Sequence, residues 1–167
     1  DKGIIKRYKW NKKNDNSLSQ NNVWWIYEGS MGYIWIGTSK KGLNRLDRKT
    51  GEFKRYNHSD SDPSSLGHKR NPQSLSNNRV TPVAEAADGS LWLGTDSGLN
   101  RFDPLTGIFT RYTEANGLAN DGIQGLCIDD NGHIWVSTFN GISRLDPISG
   151  KVWNFGPSDG LQGIEFW

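Results

Sequence analysis

Two adjacent tryptophans, Trp24 and Trp25, are the residues whose chemistry most suggests ligand binding. An indole ring can stack on the apolar C–H face of a pyranose, and amide or charged side chains can bind the surrounding hydroxyl groups. Side chains of these kinds recur at corresponding positions of a sequence repeat, but they differ from copy to copy. We therefore predict a ligand-binding surface suited to sugars, formed by Trp24, Trp25, Lys40, Lys41, Arg79, Asp96, Gln124, Phe139 and Asn140.

Only part of this set need contact a ligand. Adjacent residues of a strand point to opposite faces, so one member of the Trp24–Trp25 pair must point away from the face of the other. Large aromatic side chains are usually buried. We therefore expect at least one of the two tryptophans to belong to the core.

The sequence offers little for catalysis. His58 and His68 lie in a polar loop and His133 lies in a turn, where exposed residues are expected. Asp129 and Asp130 begin a segment superficially like a calcium loop, but the later ligand positions are missing. No nucleophile, zinc or phosphate-binding motif is found. We expect no catalytic residue, no metal and no cofactor.

Composition argues against several classes of partner. The 20 Lys and Arg residues nearly balance 18 Asp and Glu residues, for a net charge of +2, which gives no indication of nucleic-acid binding. No apolar stretch approaches the roughly 20 residues needed to span a bilayer, so we expect no direct membrane contact in this segment. The single cysteine, Cys127, excludes an internal disulfide. Its apolar surroundings predict a small buried side chain.

The candidate residues are carried by a unit that occurs three times, starting at Val23, Val80 and Ile123. Each copy has a second apolar residue at +3, a glycine at +9 and a tryptophan at +12. Further along, each copy has an Arg two residues before an Asp, and then a Ser-Gly or Thr-Gly pair. The tryptophans are Trp35, Trp92 and Trp135, separated by 57 and then 43 residues. The shorter period matches the roughly 40 to 45 residues of a four-stranded propeller blade.

The second copy shows the strand pattern most clearly. Its predicted strands are Val80–Glu85, Ser90–Thr95, Gly98–Asp103 and Ile108–Thr113, separated by turn-forming Gly, Asp, Ser and Pro residues. No segment shows apolar residues at helical spacing. We predict an all-β fold made of β-propeller blades of four antiparallel strands, with about three complete blades plus flanking strands, an incomplete propeller.

Within that fold the repeated residues are predicted to be structural. The three tryptophans pack between blades, as do large apolar residues in stacked repeats. The repeated arginines, Arg45, Arg101 and Arg144, form a recurring ion pair or stack on an aromatic ring. The residues that differ from copy to copy are the functional candidates. They lie in the connections into the inner strand and in those between the second and third strands, and both kinds of connection share one propeller face.

We predict one partial propeller over residues 1–167. The expected parts are the last strand of a preceding blade (3–8), blade 1 (23–57), an inserted connector loop (58–79), blade 2 (80–113), blade 3 (123–155) and the start of a next blade (163–167).

The phrases "WIGT", "GLNRLD" and "GEFKRY", joined by "SLSQNN" and "SLSNN", resemble the two-component regulator propeller repeat. The resemblance covers nearly the whole chain. It implies the periplasmic sensor region of a bacterial hybrid two-component protein, often one that senses oligosaccharides, with any kinase downstream of this segment. It does not imply an enzymatic activity of the segment itself.

Two alternatives remain open. A streptogramin-lyase-like enzyme has a similar repeat phrase, but that family carries "WFTE" where this chain has "WIGT", "WLGT" and "WVST". Its metal-binding Glu therefore has no counterpart. The second alternative is a purely structural or protein-interaction segment. Because three blades cannot close a ring, we also expect self-association through exposed blade faces.

Overall fold

Twelve strands form three four-stranded antiparallel sheets in the computed structural model, which describes residues 5–58 and 75–163. Each sheet follows chain order, so every strand pairs with the next one along the chain. The predicted propeller architecture is confirmed. We call the sheets blades 1, 2 and 3. Blade 1 contains β1 (Val23–Glu28), β2 (Tyr33–Thr38), β3 (Leu43–Asp47) and β4 (Phe53–Tyr56); blade 2 contains β5 (Val80–Glu85), β6 (Leu91–Thr95), β7 (Gly98–Phe102) and β8 (Phe109–Tyr112); blade 3 contains β9 (Ile123–Ile128), β10 (Ile134–Thr138), β11 (Gly141–Leu145) and β12 (Val152–Phe155).

The strands of blade 2 follow the sequence prediction closely. β5 has the predicted bounds, β6 starts one residue later, β7 ends one residue earlier and β8 is one residue shorter at each end. The glycine at +9 closes the first turn of each blade with φ of 79°, 79° and 81° at Gly32, Gly89 and Gly132. Only glycine adopts this left-handed conformation without a steric penalty, which explains its recurrence.

Two apolar layers join the blades. The layer between blades 1 and 2 contains Trp35, Leu43, Tyr56, Leu75, Val80, Leu91, Leu93, Phe102 and Phe109. The layer between blades 2 and 3 contains Trp92, Leu99, Leu118, Ile123, Ile134, Val136 and Leu145. Trp35 and Trp92, which are 2% and 1% exposed, therefore pack between blades as predicted.

Trp135 is not buried as Trp35 and Trp92 are. Its strand neighbours Ile134 and Val136 face blade 2, so Trp135 lies on the opposite face, which no other described sheet covers. It is only partly buried, and Cys127, its partner in register, is exposed. The predictions of inter-blade packing for Trp135 and of burial for Cys127 are wrong for the described residues, because both needed a sheet beyond blade 3. We call this surface the open face of blade 3.

The repeated arginine has one of two kinds of partner, an aromatic ring or a carboxylate. In blades 1 and 3 it stacks on an aromatic ring, whereas Arg101 of blade 2 forms an ion pair with Asp88 at 2.6 Å. The partner of Arg101 is therefore in the preceding turn and is not Asp103, whose carboxylate accepts backbone N–H groups of its own turn. The stacked pairs are Arg45 with Tyr33, at 4.2 Å, and Arg144 with Trp153, at 4.3 Å.

Each connector is fixed to the blade that it enters. It buries a leucine, and the backbone N–H of the next residue donates to a side-chain oxygen on the third strand. These bonds are Ser19 N to Asn44 Oδ1 (2.9 Å), Ser76 N to Asn100 Oδ1 (3.0 Å) and Ala119 N to Ser143 Oγ (3.0 Å). The preceding blade also holds the connector, through Gly42 N to Asn78 O (2.9 Å) and Gly98 N to Asp121 O (2.8 Å).

Several predicted parts lie partly outside the described residues. Residues 59–74 of the inserted loop, including His68, and residues 164–167 of the next blade are outside. Residues 3 and 4 of the first predicted strand are outside, and residues 5–8 are not assigned to a strand. Tyr8 nevertheless meets Phe53 edge-on at 5.4 Å, as Tyr56 meets Phe109 at 6.0 Å.

Candidate functional site

All nine candidate residues lie at one end of the blades, which we call the top face. There the inner strand begins and the second strand ends, as shown by the pairs Val23 with Thr38, Val80 with Thr95 and Ile123 with Thr138. The bonds between each turn and the following connector keep these ends side by side. The fold therefore places the candidates on one surface, although it does not bring all of them into contact.

A β-bulge at the top of each inner strand decides which side chains turn outward. In blade 1 the pairing passes from Val23 to Trp25 and skips Trp24, and in blade 3 it skips Gln124. A bulge interrupts the alternation of side chains and is often found beside functional sites. Trp24 and Gln124 thus occupy equivalent bulge positions on the top face.

Trp24, Arg79 and Asp96 form a cluster across the junction of blades 1 and 2, which we call the top-face cluster. The guanidinium of Arg79 lies 4.8 Å from the ring centre of Trp24. Arg79 Nη1 also contacts Asp96 Oδ1 at 3.0 Å. The indole remains 47% exposed. The cluster combines an accessible aromatic ring with a fixed cation and a carboxylate, the groups that the sequence predicted together.

Arg79 has unused hydrogen-bonding capacity. Its Nε is buried without a hydrogen-bond partner in the structure. The backbone of the residue is fixed, because Arg79 N donates to Asn77 Oδ1 at 2.7 Å, and Asn77 in turn binds Ser97 Oγ at 3.3 Å. Sequence reasoning missed Asn77. The paired asparagines of "SLSNN" were the available signal, since Asn side chains often cap their own loop.

Trp25 is part of the blade junction. Its Nε1 donates to Val80 O at 2.9 Å, and its ring packs so closely on Gly37 that a Cβ there would lie 1.9 Å from Nε1. The expectation that one of the two tryptophans belongs to the core thus applies to Trp25. Its contribution to a ligand site is indirect, through the position of the neighbouring Trp24.

Lys40 and Lys41 are exposed on the β2–β3 turn. Lys40 N donates to Gln20 Oε1 at 3.2 Å and Lys41 N donates to Thr38 Oγ1 at 3.1 Å. The backbone of the turn is therefore ordered, while the two ammonium groups reach solvent. They add positive charge to the part of the top face that belongs to blade 1.

The candidate side chains of blade 3 are mostly engaged within their own blade. Phe139 packs on Gly122, where an added Cβ would lie 2.5 Å from the ring. Asn140 Nδ2 donates to Ala119 O at 3.2 Å, which holds the connector. Gln124 is partly buried. These three residues lie on the part of the top face that belongs to blade 3.

His58 and His133 each lie in a local hydrogen-bonded segment, and His68 lies outside the described residues. His58 N donates to Asn78 Oδ1 at 2.6 Å, so His58 belongs to the connector. His133 Nδ1 lies 3.1 Å from Asp129 Oδ2 in a turn of blade 3. The indole N–H of Trp135 and the N–H groups of His133 and Asn131 lower the pKa of Asp129 to about 2. That carboxylate is already engaged by its own turn.

A threonine that ends each second strand is held in the same way in all three blades. Thr38, Thr95 and Thr138 are fully buried, and each hydroxyl donates to the carbonyl of the glycine that closes the following turn, at 2.8 to 3.1 Å. These residues shape the turns that present the top face. They supply no carboxylate at this position.

The three repeated segments match a known family. A sequence profile of the two component regulator propeller matches residues 17–40, 74–97 and 117–140, each covering a connector and the first two strands of a blade. These three segments are therefore similar to two-component regulator propeller repeats. No match was found among curated proteins.

Solved structures carry the same propeller fold. The extracellular domain assigned to a hybrid two component system of B. thetaiotaomicron is 24% identical, with a TM-score of 0.74 over 89% of this chain and 20% of that chain. A second such domain from this organism is 25% identical, with a TM-score of 0.65 over 83% and 19% of the two chains. These repeats thus span about a fifth of the extracellular domains that they match.

An enzyme also shares the fold. Catalytically inactive virginiamycin B lyase from Staphylococcus aureus, solved with quinupristin, is 20% identical to these repeats, with a TM-score of 0.61 over 92% of this chain and 45% of that chain. This likeness shows the fold alone. Across residues 5–58 and 75–163, no helix is long and apolar enough to traverse a membrane.

Proposed function

We propose that the chain is part of the periplasmic sensor region of a bacterial two-component protein and that its top face binds an oligosaccharide. The observation that carries the proposal is the half-exposed indole of Trp24, which a bulge turns outward and Arg79 holds in place. An aromatic side chain already fixed before binding loses little conformational freedom on contact with a ligand. A few convergent polar groups beside it provide orientation.

The groups around Trp24 favour particular sugars. Asp96 can accept hydrogen bonds from sugar hydroxyl groups and Arg79 can donate to them. Arg79 and Asp96 carry opposite charges, and Lys40 and Lys41 add two positive charges on the part of the top face that belongs to blade 1. A neutral or acidic oligosaccharide therefore fits this surface better than a basic one.

The family match and the fold of extracellular sensor domains support a sensory role. Because the chain spans only a fifth of those domains, the output of the signal is proposed to lie elsewhere in the full-length protein, where a kinase would act. The repeats themselves are proposed to bind and not to catalyse. The lyase-like enzyme is the weaker alternative, since this chain has Thr38, Thr95 and Thr138 where the resemblance to that family would call for a glutamate.

A glycan array probed with the chain, followed by calorimetry on the best oligosaccharide, tests this function. Trp24→Ala and Arg79→Ala should each reduce affinity at least tenfold, the equivalent of about 1.4 kcal/mol. Ile148→Ala is the control, because Ile148 is 96% exposed in the turn between β11 and β12, at the end opposite to the top face. Full affinity in both top-face variants would refute the site. Metal-dependent cleavage of a streptogramin by the chain would favour the enzyme instead.

A further inference from the structure

Blade 2 contains a cavity of about 400 Å³ at the end opposite to the top face. It lies between the β5–β6 turn and the β7–β8 turn. A smaller cavity of about 130 Å³ adjoins it, shares Asp88, Ser90 and Arg101, and is bounded by Pro147 and Ile148 of blade 3. The larger cavity is lined by Asp88, Ser90, Arg101, Asp103, Leu105, Thr106, Ile108 and Thr110.

In the other two blades an aromatic ring lies beside the corresponding arginine. In blade 1 the ring of Tyr33 lies 4.2 Å from the guanidinium of Arg45, and in blade 3 the indole of Trp153 lies 4.3 Å from that of Arg144. Blade 2 has small residues at both aromatic positions. Ser90 aligns with Tyr33 in the repeat, and Thr110 pairs with the arginine as Trp153 does in blade 3.

Arg101 is held in place without an aromatic partner. Its Nη2 bonds to Asp88 Oδ2 at 2.6 Å and its Nε donates to Ser90 Oγ at 3.3 Å. The side chain remains 38% exposed. Within the described ranges, no aromatic ring stacks on it, unlike Arg45 and Arg144. The cavity therefore borders a positioned guanidinium whose stacking partner is missing.

The remaining lining limits the charge of an occupant. Hydrogen bonds from Ser90 lower the pKa of Asp88, and hydrogen bonds from Thr106 lower that of Asp103, so both carboxylates are ionised at neutral pH. Two carboxylates beside one guanidinium disfavour an anion, and a cation would be repelled on stacking against Arg101. Leu105 and Ile108, 79% and 43% exposed, provide an apolar wall.

We propose that this cavity binds a neutral phenol. The ring would stack on Arg101 as the phenol ring of Tyr33 stacks on Arg45, an attraction that cations and aromatic faces commonly show. The phenol hydroxyl would donate to Asp88 or Asp103, which can only accept hydrogen bonds when ionised. This site is separate from the top-face cluster and does not depend on oligosaccharide binding there.

Titration of the chain with p-cresol, followed by amide chemical shifts in NMR spectra, tests the proposal. The shifts should change at Ser90, Thr106 and Thr110, with saturable binding. Thr110→Trp places an indole where blade 3 has Trp153 and should weaken p-cresol binding at least tenfold. Position 110 is exposed, so the added ring does not have to enter the core.

The repeat provides a matched control. Lys54→Trp introduces the same side chain at the corresponding exposed position of blade 1, where Tyr33 already covers Arg45, and should leave p-cresol affinity unchanged. Shift changes confined to other residues, or equal affinity in Thr110→Trp and the wild type, would overturn the proposal. So would the absence of binding at millimolar p-cresol, or saturable binding of methyl glucoside at this cavity in place of p-cresol.

Discussion

The indole of Trp35 in blade 1 meets the ring of Phe102 in blade 2 edge to face, with ring centres 5.4 Å apart and planes at 78°. This arrangement lets the positive edge of one ring approach the negative face of the other. Both side chains are buried in the layer that joins the two blades. The stability of the array therefore depends on contacts that no single blade contains.

Removing the indole of Trp35 should strongly destabilise the chain. We expect Trp35→Ala to lower the free energy of unfolding by about 3 to 5 kcal/mol, the usual cost of deleting a large buried aromatic side chain. Trp135→Ala removes the same side chain from the same repeat position on the open face of blade 3 and should cost clearly less. Urea denaturation of both variants measures the difference. Equal losses would show that Trp135 is as deeply packed as Trp35.

Gly37→Ala should disturb the junction through Trp25. A Cβ at this position would lie 1.9 Å from Trp25 Nε1, so the indole must move and its bond to Val80 O must weaken. We expect a loss of about 1 to 3 kcal/mol, as in other overpacked cores. Gly156→Ala is the control, because it has negative φ and no atom within 4 Å of an added Cβ. A Gly37→Ala variant as stable as wild type would contradict the packing described for Trp25.

Stability should depend on pH through Asp129. Its pKa is lowered from 3.8 to about 2 in the folded chain, so the folded state favours the ionised carboxylate. This stabilisation is present above about pH 4 and is lost as the pH falls towards 2. Asp129→Asn should have a lower melting temperature at pH 7 and a smaller change between pH 4 and pH 2. Thermal melts across this range, with the titration of Asp129 followed by NMR, provide the measurement.

The open face of blade 3 should promote self-association. Trp135, Ile142, Trp153 and Phe155 are only partly buried there, and Cys127 is exposed. Contiguous apolar surface of this kind tends to be covered by a partner. Light scattering should give a mass above that of one chain, and Ile142→Glu should reduce it. Met31→Glu, at a residue 47% exposed elsewhere, should not. A monomer at high concentration in the wild type would contradict this prediction.

The fold could be predicted because the signals that set it are local. Turn glycines, alternating apolar residues and repeated offsets place the strands of blade 2 within one residue of their observed ends. Burial was less predictable, since it depends on neighbouring sheets. Trp135 has the same offset as Trp35 and Trp92, yet it is more exposed because blade 3 has no described sheet on that side.

The candidate site was only partly predictable. Sequence reasoning selected Trp24, Arg79 and Asp96, which the structure brings together, but alternation alone could not decide which of the adjacent tryptophans faces outward. The bulge decides it, and a bulge leaves no clear mark in one sequence. The cavity at Arg101 was missed because it arises from small residues where other copies have aromatic ones.

The connectors affect the order in which the blades unfold. The connector entering each blade is hydrogen-bonded to that blade, through Asn44, Asn100 or Ser143. The described hydrogen bonds from the turns reach only the connector of the adjacent blade. Cooperativity then passes from neighbour to neighbour, as in other linear arrays. Among the described sheets, blades 1 and 3 each pack on one neighbour and blade 2 packs on two, so unfolding should begin at the outer blades and reach blade 2 last. Amide hydrogens of β10 and β11 would exchange before those of β6 and β7.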